Sequence, residues 1–234
     1  MNPFTSHVPS PPARPRPAPR PARPARRRTA ASAAASVVLS LSATLLPALA
    51  AGAATMPGPP GPEGVPIETG RLLAPVSTAS QGRPVDGISC STHEQVAYHV
   101  HAHLAVYVDG RLRPLPAGIG MVEPAIYEMT KDGPFYAATQ CYYWLHVHAQ
   151  DGVIHIESPT RRKYRLGDLF DIWRQPLGPG RVAGARGRLA VFVDGRRYEG
   201  NPRAIVLGSH EDIQIDVGRP VVRPYAVDWA GTGL

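Results

Sequence analysis

Acidic residues are missing from the first quarter of the chain, where none precedes Glu63. The same stretch opens with Arg14, Arg16, Arg20, Arg23, Arg26, Arg27 and Arg28. From Thr29 to Ala54 charge of either sign is absent, and the composition is mostly Ala, Leu, Val and Ser, closing on Ala48-Leu49-Ala50 and Ala51-Gly52-Ala53. A basic, then apolar, then small-residue order is that of a secretory signal peptide. The apolar stretch is also long enough to reach across a bilayer, so an uncleaved N-terminal anchor is the alternative over 1–54. Its weak hydrophobicity, and Pro47 ahead of the small residues, favour cleavage. The expected location is outside the cytoplasm: periplasmic, cell-surface or secreted, and membrane-attached only if the leader stays on.

A basic stripe is missing as well. The seven leader arginines account for the whole formal net charge of +7, so the rest of the chain is nearly neutral. That balance excludes nucleic acid as an expected partner. Residues 55–87, with Pro57-Gly58-Pro59-Pro60-Gly61-Pro62, show no sustained apolar period and read as a flexible linker. One domain over about 88–229 remains, long enough for a genuine core. Cysteine is scarce, with Cys90 and Cys141 as the only pair. In an exported protein such a pair points first to a disulfide and second to a metal ligand. Closing that loop is worth roughly 4 kcal/mol on the chain-entropy model.

What the domain does contain is strand pattern. Leu104-Ala105-Val106-Tyr107-Val108-Asp109-Gly110-Arg111 is echoed by Leu189-Ala190-Val191-Phe192-Val193-Asp194-Gly195-Arg196. Both read as strand, tight turn, strand, because Asp-Gly after a β-branched run suits a type I′ turn. They could be two related halves or two hairpins with similar needs. A third hairpin is expected at Asp151-Gly152, joining Tyr142–Ala149 to Val153–Glu157. Leu166, Leu169, Phe170 and Trp173 stand at helical spacing and predict one helix near 167–174. Ile213-Gln214-Ile215-Asp216-Val217 reads as a closing strand. The expected fold is α+β and predominantly antiparallel, with an all-β sandwich as the alternative.

Six of the nine histidines fall in two clusters: His99, His101 and His103, then His146, His148 and His155. In a strand, alternation puts the first three on one face, with Val100, Ala102, Leu104, Val106 and Val108 turned to a core. A two-residue turn at Asp151-Gly152 would set His148 opposite His155 and His146 opposite Glu157, at Cβ separations of roughly 4.5–5.5 Å. Three imidazoles and a carboxylate on one face suit zinc or copper, with iron as a further possibility. The expected core ligands are His101, His103, His146 and His148, with His99, His155 and Glu157 as further ligands or orienting groups. A helical reading of Ser91–His103, from the capping-box pattern Ser91-Thr92-His93-Glu94, would still stack His99 and His103. In the second echo, Arg186 and Arg188 replace His101 and His103, which argues for one centre. Cys141 lies at an odd offset from His146, so a blue-copper site is disfavoured.

The run His99-Val-His-Ala-His-Leu, with Pro116-Ala-Gly-Ile-Gly, Cys141, Leu145-His-Val-His, Asp151-Gly-Val-Ile-His-Ile-Glu-Ser-Pro159 and Leu166-Gly-Asp-Leu-Phe-Asp-Ile-Trp173, resembles a family of exported bacterial and archaeal His-rich domain proteins. The resemblance spans most of 90–217 and implies no established activity. Three functions stand side by side: a zinc- or copper-binding protein, a mononuclear metalloenzyme, and a structural or adhesive module without metal. An enzyme needs a concave, partly apolar pocket beside its metal.

Overall fold

The structure is a computed structural model. It describes residues 54–55, 57–122 and 125–234, so all of the leader except Ala54 lies outside the described residues. In chain order the strands are β1 (Ala54–Thr55), β2 (Cys90–Ser91), β3 (Tyr98–Val108), β4 (Arg111–Leu112), β5 (Ala125–Thr130), β6 (Gly133–Ala138), β7 (Tyr142–Tyr143), β8 (Leu145–His146) and β9 (Val153–Ser158). After the helix α1 (Leu166–Trp173) come β10 (Leu177–Gly178), β11 (Arg181–Val182), β12 (Ala185–Arg186), β13 (Leu189–Val193), β14 (Arg196–Tyr198), β15 (Glu211–Val217) and β16 (Tyr225–Ala226). The described residues are thus mostly β with a single α-helix. None of their helices is long and apolar enough to cross a membrane.

Seven strands form the main sheet, in the order β14-β13-β15-β3-β9-β8, with β4 paired to β3. Strand β3 is long because the alternation of His99, His101 and His103 with apolar residues leads directly into the β-branched and aromatic run ending at Val108, and its extended backbone removes the helical reading of this segment. Its Ala102, Leu104 and Val106 are fully buried, together with Leu145, Ile154, Ile156 and Ile215. Against this face packs α1, through Leu166, Leu169, Phe170, Ile172 and Trp173. Each such side chain contributes roughly 1.5–3 kcal/mol when fully buried. The opposite face carries His99, His101 and His103.

The chain reverses at Asp109-Gly110 and at Asp194-Gly195, where both residues of each pair have positive φ, between 49° and 72°. Val108 then pairs with Arg111 and Val193 with Arg196. The third Asp-Gly behaves differently. Asp151 is fully buried and its carboxylate accepts the N–H of Val153 at 3.0 Å, closing a local turn in a longer connection over 147–152. His146 therefore pairs with His155, and Leu145 with Ile156, instead of the expected His146–Glu157 and His148–His155. The register differs by two residues, and a two-residue difference leaves every side chain on its face.

Strand β15 runs parallel to β3, returning after the β13–β14 hairpin to insert between the two echo strands, within an otherwise antiparallel main sheet. One further expectation is corrected. The Pro/Gly-rich segment read as a flexible linker packs onto the domain. Val65 and Glu68 are buried, Leu73 N–H donates to Pro114 O at 2.8 Å, and Ser80 N–H to Ile172 O at 2.8 Å. Proline removes donors but leaves its carbonyls free, and Pro75 O accepts the indole N–H of Trp173 at 2.9 Å. Lack of periodicity in this segment reflects irregular backbone held by scattered hydrogen bonds.

Candidate metal centre

Three strands bring the histidines into one row. Across β3, β9 and β8, His101 stands beside His155 and His155 beside His146, while His99 stands beside Glu157 in the next row. His148 lies just past β8, where the Phe135 ring stacks on it at 4.3 Å between centroids and 5° between planes. His146, His155, His148 and Glu157 are all buried.

The tautomers follow from the partners. The Nδ1 of His146 lies 2.9 Å from Tyr143 O, and that of His148 lies 2.6 Å from Tyr136 O. A carbonyl only accepts, so both Nδ1 atoms carry the proton, and each ring presents a lone pair at Nε2 when it is neutral and an N–H there when it is protonated. Those two Nε2 atoms face each other at 3.0 Å. Two lone pairs at that distance repel, so either a proton or a metal ion sits between them. Two nitrogens bound to one ion at about 2.0–2.1 Å stand roughly 2.9–3.4 Å apart. Anchoring of the far ring nitrogen on a carbonyl is the usual way a metal-binding imidazole is oriented.

Around this pair the charges are arranged unevenly. His155 Nδ1 lies 3.1 Å from Glu157 Oε1, and its Nε2 lies 2.6 Å from Glu63 Oε1. Burial lowers its basicity, yet hydrogen bonds to Glu157 and Glu63 outweigh that and push its pKa up to about 9. Burial, helped by repulsion from neighbouring imidazoles, holds His101 down to about 3 and His146 well below the usual histidine range. Glu94 Oε1 stands 3.4 Å from His148 Nε2, and the hydrogen bond with His148 lowers its carboxyl pKa. Buried polar atoms without a hydrogen-bond partner gather here: His101 Nε2, Glu63 Oε2 and Glu157 Oε2, with Asp151 Oδ2 and both oxygens of Glu68 nearby in the fold. Such atoms are costly and call for a partner.

Two sets of donor atoms lie within 4.8 Å of one another, His146-His148-His155-Glu157 and His99-His101-His155-Glu157. This buried His/Glu cluster can hold a metal ion. An open cavity of about 440 Å³ borders it, with Phe135, Pro62 and Leu234 among its apolar lining.

His103 falls outside both sets. Although it shares the face of His99 and His101, its Nε2 lies 2.9 Å from Asp151 O and the Tyr225 hydroxyl sits 3.3 Å from both ring nitrogens. It thereby anchors the 147–152 connection that carries His148. Gly152 is needed at this contact: its φ is +79°, and a Cβ there would stand 2.7 Å from His103 Nε2. Beyond His103 lies Glu68, 3.8 Å away, whose pKa burial raises to about 8. Cys90 and Cys141 form the expected disulfide, with Cα atoms 5.4 Å apart, which removes both sulfurs as ligands.

Glu63, Glu68 and Glu94 were not legible as site residues. The first two lie in the segment read as linker, and their only signal is that they are the first acids of the chain. The carbonyls of Tyr136 and Tyr143 carry no sequence signal at all. Comparison with known protein families, with curated proteins and with solved structures finds no match to this chain.

Proposed function

We propose that the protein is an exported transition-metal-binding protein that holds zinc or copper on His146, His148, His155 and Glu157. The observation that carries this reading is the pair of Nε2 atoms at 3.0 Å, each imidazole fixed by a carbonyl on its far side, within a set of four donors that converge to within 4.8 Å. Three imidazoles and one carboxylate form a borderline donor set that suits zinc and copper, and iron less selectively. His155 holds a proton between two carboxylates in the metal-free state, and an incoming ion displaces it, so binding releases a proton and tightens with rising pH. Export is supported by the leader composition and agrees with the disulfide. The resemblance to exported His-rich domain proteins belongs to the same proposal. Metal analysis of the purified chain by mass spectrometry, followed by zinc and copper titration, tests it. Stoichiometric metal that is lost in H146A/H148A supports the reading, and a chain that binds neither ion refutes it.

A second reading, a metalloenzyme, is favoured by the cavity beside the cluster, since a carrier needs no such space. An enzyme keeps a coordination position open for substrate. Cobalt-substituted protein should then change its visible spectrum on adding azide, and an unchanged spectrum would leave the binding role alone.

A further inference from the structure

The histidines are too widely spread for one ion. Strands lie about 4.8 Å apart, so the row His101, His155, His146 spans roughly 10 Å at the backbone. Ligands on one ion, at about 2.0–2.1 Å each, can stand at most about 4.2 Å from one another. The donor atoms accordingly sort into two sets of four, one toward β8 and one toward β3, with His155 and Glu157 of the middle strand common to both.

Glu157 is placed between the sets. Its Oε1 lies 3.0 Å from His99 Nε2, while its Oε2 is the oxygen that faces His146 Nε2, at 3.8 Å. That Oε2 is buried and has no hydrogen-bond partner. On the β3 side, His101 is only 6 % exposed, and its buried Nε2 also has no partner. Its ring lies 4.5 Å from those of both His99 and His155. An unpartnered imidazole nitrogen grouped with a carboxylate and two further histidines is a second donor set, which includes neither His146 nor His148.

Resting on the metal-binding reading above, we propose that this face holds two metal ions side by side. One lies under His146 and His148, the other under His99 and His101, and the Glu157 carboxylate bridges them through its two oxygens. Paired ions about 3.5–4 Å apart are the arrangement that positions and polarises an oxygen-bearing substrate between two Lewis acids. The carboxylates of Glu63 and Glu94 at the same cavity add negative charge that offsets two dications.

Copper(II) titration of the purified full chain, followed by electron paramagnetic resonance and metal analysis, tests this. Two copper ions per chain are expected, with an integrated signal below that of two isolated spins because a carboxylate bridge couples them. H99A removes a half-exposed side chain and so should spare the fold; it should weaken the second ion at least tenfold and leave the isolated signal of the first. H101A should do the same. If one copper saturates the wild type and H99A leaves that copper and its spectrum unchanged, the paired site is overturned while the single-centre reading stands. A wild type that binds no copper or zinc overturns both.

Discussion

The two echoed segments share a hairpin and differ in everything that makes a site. Strands β3 and β13 both lead into Asp-Gly turns with two left-handed residues, and both flank β15. Yet β3 starts at Tyr98, six residues before the echo begins, whereas β13 starts with the echo itself at Leu189. That upstream extension carries His99, His101 and His103 and pairs with β9. In the second copy, Gly187 and Arg188 separate β12 from β13, and Arg186 and Arg188 are exposed. A hairpin is a local solution set by its turn, but a ligand row needs a strand with histidine-bearing partners beside it. Duplicating the turn does not duplicate the site.

The contrast breaks most completely with the histidines themselves. Replacing His146 and His148 with alanine removes both members of the carbonyl-anchored pair and should lower zinc or copper affinity by at least a hundredfold. The matching double change R186A/R188A in the second copy should leave metal content untouched. Isothermal titration of both variants decides it, and equal losses would show that the echo strands are not functionally distinct.

Next in size is the disulfide, which ties Cys90 of β2 to Cys141 just ahead of β7 and has no counterpart beside the second echo. Reducing it by C90S/C141S should cost about 4 kcal/mol of stability, read by urea unfolding, since the bridge closes a separation of 51 residues. A loss below about 1 kcal/mol would mean that the Pro/Gly segment and the sheet already hold this edge.

Glu68 sharpens the comparison through pH. It packs near His103, where the second copy has exposed Arg188. Because its folded pKa is raised to about 8, the native state keeps a proton that the unfolded chain loses above about 4.5. Stability from this group is therefore present at low pH and declines as pH rises toward 8. E68Q should remove that decline, making metal-free protein more stable than the wild type at pH 8 by up to a few kcal/mol, with little difference at pH 4.5. Parallel pH curves for the two proteins would sink the assignment.

Smallest is the turn glycine. Gly110 and Gly195 have the same φ within a degree, so alanine costs each about 1–2 kcal/mol. At Gly110 a Cβ would also meet Pro220 Cγ at 2.8 Å, while at Gly195 nothing lies within 4 Å. G110A should be the more destabilising of the two by about 1 kcal/mol in thermal unfolding. Equal effects would show that the Pro220 contact yields freely.

Legibility followed the range of the interaction. Alternation in β3, the helical spacing of Leu166, Leu169, Phe170 and Trp173, and the two hairpin turns are written in neighbouring residues and were readable. So was the shared face of His99, His101, His146, His148, His155 and Glu157, because parity along a strand survives even the two-residue register change. His103 shows where parity stops: it points to the right face, and Asp151 and Tyr225 claim it there.

By itself the sequence determined the strands β3, β9, β13 and β15, the apolar and polar faces of β3 and β9, and the disulfide partners, because each depends on local period or on there being only two cysteines. Tertiary structure alone decided the register of β9 against β8, the burial of Glu63 and Glu68, and which imidazole nitrogens are left free. Those depend on distances between segments far apart in the chain, and a buried aspartate in one turn or a carbonyl across a loop settles them without leaving any pattern in the neighbouring residues.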